Sequence, residues 1–107
     1  MSIFDSISVA FAESARATGF KFYHEDSVCH GRVYYIEFYR DDTILMLKQE
    51  SQGDNKEGFY VTYGGRHVWT WTTHDCFGEV EADPDLDSLC KAICMIKEKR
   101  RGRHEKV

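Results

Sequence analysis

Two dipeptides constrain this chain more than anything else in it: Asp41-Asp42 and Gly64-Gly65, each set between runs of strand-forming residues. The stretches RVYYIEFYR-DD-TILMLKQ and GFYVTY-GG-RHVWTWTT read as two hairpins with two-residue turns, one acidic and one of glycines that tolerate positive φ. A half-buried strand alternates apolar and polar residues, because successive side chains point to opposite faces. Between Arg32 and Thr72, however, Tyr, Trp, Phe and Met fall on both parities. Either such a sheet is covered on both sides, or one side is an exposed adhesive surface.

Pairing Arg40 with Thr43 sets the first hairpin. One face then shows Tyr34, Ile36, Phe38, Leu45 and Leu47, which is core, and the reverse shows Tyr35, Glu37, Tyr39, Ile44, Met46 and Lys48. Pairing Tyr63 with Arg66 sets the second. By strict alternation it places Phe59, Val61, Val68 and Thr70 on one side and Tyr60, Thr62, His67, Trp69 and Trp71 on the other. Tryptophan is usually mostly buried, so alternation alone leaves open which of these sides joins the core.

The flanks supply two helices. From residue 2 to 18, Ile3, Ile7, Ala10, Phe11, Ser14 and Ala15 recur at three- and four-residue steps; Ser2 is the expected N-cap and Gly19 the stop. FKFYHE (20–25) alternates as a strand before the loop DSVCHG, residues 49–57 form a polar loop, and an acidic edge strand is expected near Phe77 to Ala82. A second helix starts with Asp83 as N-cap and Pro84 at its first position. It carries Leu86, Leu89, Cys90, Ile93 and Ile96 on one stripe shared by Cys94, and ends at Gly102. The expected fold is α+β: a five- to six-stranded antiparallel meander with N- and C-terminal helices on one face, over residues 1–102, followed by a basic tail, 103–107. Element order and size resemble frataxin-like domains. The acidic first helix that the resemblance would imply for metal handling is missing, since this helix carries only Asp5 and Glu13, so topology alone is expected to carry over.

At 107 residues the chain suffices for one domain with its own core. Its beginning lacks a basic stretch followed by an apolar run, and no stretch approaches the ~20 apolar residues of a membrane span, so a cytoplasmic protein without membrane contact is expected. Residues 97–107 hold six of the fourteen Lys and Arg and two of the eighteen Asp and Glu. Residues 1–96 therefore carry eight basic against sixteen acidic side chains, a charge of −8 beneath the net −4. Such a body repels nucleic acid over most of its surface.

No motif announces catalysis. His24, Cys29, His30, His74 and Cys76 are ligand types zinc prefers, yet the spaced CxxC pairs of closed zinc sites are missing. A thiolate nucleophile at Cys29 or Cys76 would sit beside Asp26 or Asp75, which oppose its ionisation. Gly64-Gly65 lacks the Lys and the following helix of a phosphate loop. No cofactor is expected.

The residues point instead to a small, acidic, non-enzymatic protein-binding domain. Tyr35, Tyr39, Met46, Tyr60, His67, Trp69 and Trp71 are its expected contact residues, of the types enriched at interface centres. The expected partner is another protein, basic or itself a nucleic-acid binder, which suits an inhibitor, immunity or anti-defence role; pairing of two copies is the other way to cover the face. The alternative reading is a small-molecule or zinc-binding domain, enzymatic or not, using a pocket between sheet and loops.

Overall fold

The computed structural model describes residues 3–51, 57–72 and 84–96. The element order is α1 (Ile3–Ala17), β1 (Lys21–Val28), β2 (Val33–Arg40), β3 (Thr43–Ser51), β4 (Glu57–Tyr63), β5 (Arg66–Thr72) and α2 (Leu86–Cys94). All five strands form one antiparallel sheet in sequence order, so each pairs with the one before it. This is the expected α+β meander. The acidic strand expected near Phe77 to Ala82 and the basic tail at 103–107 lie outside the described residues.

The first hairpin adopts the expected register: Arg40 faces Thr43, Phe38 faces Leu45 and Ile36 faces Leu47. Asp41 and Asp42 both take left-handed backbone, with φ of 54° and 63°. Aspartate enters that region more readily than most residues, and its pairing here makes the two-residue turn whose twist matches the strands. Gly64 and Gly65 do the same for the second hairpin, at φ 59° and 83°. The strands are longer than the composition suggests. Gln49, Glu50 and Ser51 pair with Phe59, Gly58 and Glu57, so both ends of the expected polar loop are strand, and residues 52–56 lie outside the described residues. Likewise β1 runs on through Asp26, Ser27 and Val28, because cross-strand pairing with Tyr35, Tyr34 and Val33 satisfies backbone groups that side-chain polarity alone assigns to a loop.

Helix α1 buries Ile7, Phe11, Ser14 and Ala15, one stripe at helical spacing. Against them pack Phe38, Leu45, Leu47, Phe59 and Val61 from the sheet and Leu89 and Ile93 from α2. Each buried Phe contributes about 1.5–3 kcal/mol by leaving water. The two helices lie on one face of the sheet, Phe4 meeting Tyr34 edge-on at 5.0 Å and Phe11 meeting Phe38 at 5.6 Å. Strand β1 stays uncovered at the edge: even Phe22, on the helix side, is 49% exposed.

Helix α2 begins two residues later than expected. Asp85 is its N-cap, accepting a hydrogen bond from the Ser88 backbone N–H at 3.1 Å, whereas Asp83 lies outside the described residues. It also ends sooner, at Cys94 with Met95 as C-cap, so Cys94 is exposed rather than part of the buried stripe. Arg40 ties both helix ends to the sheet. Its guanidinium donates to Thr18 O at 2.6 Å and Ile96 O at 3.0 Å and lies 4.2 Å above the Phe20 ring. Carbonyls past a helix C-terminus carry partial negative charge, so one buried cation serves two ends at once.

Candidate functional site

The two faces of the sheet differ because two β-bulges reset the alternation. In β5, Thr62 faces His67 while Val61 faces Trp69, which leaves Val68 as one extra residue. From Trp69 onward every side chain changes sides. Trp69 and Trp71, expected among the partner contacts, therefore lie on the helix-covered face and pack against the core. Trp71 meets Phe59 at 5.8 Å, and the Trp69 indole N–H donates to Ser88 Oγ at 2.9 Å, binding β5 to the start of α2. A buried indole needs both apolar surroundings and one acceptor, and only the covered side supplies both. Thr70 moves the other way, and His67 now hydrogen-bonds it on the open side.

The second bulge lies in β1 between Phe22 and His24, with Tyr23 as the extra residue. Phe22 still points to the helices, stacked edge-on with Phe38. Tyr23 and His24 both reach the open face, where Tyr23 meets Tyr39 at 6.1 Å and His24 meets Tyr35 at 5.9 Å. Past the bulge Glu25 faces the covered side and accepts a 2.6 Å hydrogen bond from the Tyr34 hydroxyl. Burial and then this hydrogen bond and charge push the Tyr34 phenol up to about 12.

The open face thus gathers Tyr35, Tyr39, Ile44, Met46, Tyr60 and His67, and adds Tyr23, His24 and Asp42. No described element lies over it. At one end a hollow of about 360 Å³ is lined by Tyr23, Tyr39, Asp42 and Ile44. In the middle, His24 sits 3.9 Å from Asp26, beside Tyr35. At the other end, Met46, Lys48, Glu50, Tyr60, Thr62 and His67 line a second hollow of about 260 Å³. There the Tyr60 ring folds back over Gly58, where a Cβ would strike its Cζ at 2.7 Å; only glycine admits that approach. Lys48 Nζ lies 5.7 Å from the same ring.

Charge on this face is unbalanced. Asp26, Glu37, Asp42 and Glu50 stand against Lys21 and Lys48. That is too little positive charge to track a nucleic-acid backbone beside the aromatics. Among the described residues no group of three or more His, Cys, Asp or Glu is placed to hold a metal ion. Of the five side chains that suggested zinc, His24 is on the open face, Cys29 and His30 share an exposed left-handed turn, and His74 and Cys76 lie outside the described residues. Also among the described residues, no helix is long and apolar enough to cross a membrane.

Sequence reasoning missed Tyr23 because a bulge without glycine has no local signature; FKFYHE alternates equally well with or without one. A signal did exist for the tryptophans, in their size and their single polar atom. Compared with models of known protein families, with curated proteins and with solved structures, the chain matches none.

Proposed function

We propose that this chain is a non-enzymatic protein-binding domain that seats a partner with a basic contact surface on its open sheet face. The observation that carries the reading is that face itself. With both tryptophans turned to the core, it still presents Tyr23, Tyr35, Tyr39, Ile44, Met46 and Tyr60 beside four carboxylates and two lysines. Tyr23 is 61% and Tyr39 38% exposed, unusual for residues whose rings gain by leaving water. Tyrosine and methionine are typical of interface centres, and an acidic rim steers a basic partner into place. An inhibitory or immunity role, blocking a basic functional surface on another protein, is the specialisation such a face suits.

The test starts with a partner captured from the native host, identified and purified. Its affinity is then measured for the native chain, for the triple variant Y35A/M46T/Y60A, and for the control V9S on the outer side of α1. The triple variant is expected to bind at least about tenfold more weakly and the control unchanged, with affinity falling as ionic strength rises. Unchanged affinity of the triple variant would sink the reading. Sedimentation decides the homodimer separately: a native dimer that the triple variant converts to monomer means that a second copy covers the face.

A further inference from the structure

We infer that the hollow between the β1 bulge and the Asp41-Asp42 turn is a receptor for an arginine side chain of the partner. The inference rests on the binding-face reading above and names the chemistry of one end of that face. Two tyrosine rings line it, packed edge to face with centroids 6.1 Å apart and planes inclined at 78°. Ile44, across from Tyr39 on β3, lines its other side and Asp42 contributes a carboxylate. Near-perpendicular rings beside an anion make a poor seat for an apolar group, which would leave the carboxylate facing it. They suit a flat cation, which can lie on one ring, meet the other with its edge and donate N–H groups to the carboxylate.

Three features distinguish this hollow from an ordinary acidic turn. Among the described residues the Asp42 carboxylate makes no hydrogen bond or ion pair, whereas its neighbour Asp41 sits 4.0 Å from Arg40. The left-handed turn holds Asp42 at the rim, and the β1 bulge brings Tyr23 across to meet Tyr39. The hollow, about 360 Å³ and open to solvent, is large enough to take a guanidinium and its alkyl stem. The contrast with Tyr60 supports the assignment. Tyr60 already has Lys48 of the same chain over its ring, while among the described residues no cation stacks on Tyr23 or Tyr39. Lys21, paired with Tyr39 across the strands, does not line the hollow.

The test uses the full chain and a small probe, N-acetyl-arginine amide, followed through the ring resonances of the tyrosines. Saturable shifts at Tyr23 and Tyr39 are expected, with Kd on the order of 10 mM for a lone side chain. The neutral analogue N-acetyl-citrulline amide should bind at least about fivefold more weakly, as should the arginine probe to Asp42→Asn. Tyr23→Leu, which keeps bulk and removes the π face, should cost about threefold. Equal response to citrulline amide, indifference to Asp42→Asn, or shifts centred on other tyrosines would each overturn the proposal. So would equal affinity for N-acetyl-lysine amide, since the geometry assigns a flat cation. The variant M46T/Y60A keeps the two outcomes apart, since it should leave the probe titration unchanged while weakening the partner. A hollow that does not titrate, in a protein whose partner affinity depends on Met46 and Tyr60, overturns the arginine seat alone. Partner affinity indifferent to both residues overturns the face.

Discussion

The helix-covered and open faces of this sheet both carry aromatic rings, yet only the first lies under described helices. On the covered side Phe38, Phe59 and Val61 are no more than 1% exposed, with Trp69 and Trp71 packed against them. On the open side Tyr23 and Tyr39 keep much of their surface in water. The side chains differ in kind as well. The phenylalanines of the strands and both indoles lie on the covered side together with Tyr34 and Tyr63, while the open side carries its tyrosines beside methionine and carboxylates. Aromatic content by itself therefore says little about function; what matters is which rings the fold has left without a cover.

The largest expected effect tests the covered side. Phe59→Ala removes a ring with no exposure at the centre of the core and should destabilise the domain by about 3–5 kcal/mol in urea unfolding. A loss below about 1 kcal/mol would mean that the core is not where the register places it. Next comes Trp69→Phe, which keeps an aromatic ring but abandons the Ser88 hydroxyl; about 1–2 kcal/mol is expected, with partner binding unchanged. If binding falls while stability holds, Trp69 is a contact after all, and the two faces are less distinct than described.

Open-face substitutions should barely register in unfolding. Tyr35→Thr and Met46→Thr keep strand propensity and are each expected within about 0.5–1 kcal/mol of the native chain. A loss of several kcal/mol would show that the open face is covered in solution. The smallest effect is alkaline. Tyr34 holds its proton more tightly in the folded protein, at about 12, than in an unfolded chain at ~10. Its contribution is thus complete below pH ~10 and disappears as pH rises through about 12. The stability difference between the native chain and Tyr34→Phe should be flat to pH ~10 and shrink above it. A difference that instead grows with alkalinity would reverse the sign assigned to the Tyr34–Glu25 pair.

The first hairpin shows how far sequence carries. Its turn, its pairing and both of its faces follow from Asp41-Asp42 and strict alternation, because nothing interrupts the period of two between Val33 and Lys48. The second hairpin has an equally clear turn, and its strands still diverge from alternation at Val68. The bulge exchanges a Trp69 that would stand in water for one that packs against the core and bonds Ser88, nineteen residues away in sequence. No local pattern contains that bargain. Tyr23 is the same case on β1, where the neighbour that makes it part of a site is Tyr39 on the next strand.

By itself, then, the sequence determined the element order, the antiparallel meander, the turns and the acidic body, all of which arise from residues near one another in the chain or from composition. The tertiary structure decided which aromatics are core and which are surface. A one-residue slip costs little locally and moves every following side chain to the other face, so only the fit against α1 and α2 could fix it.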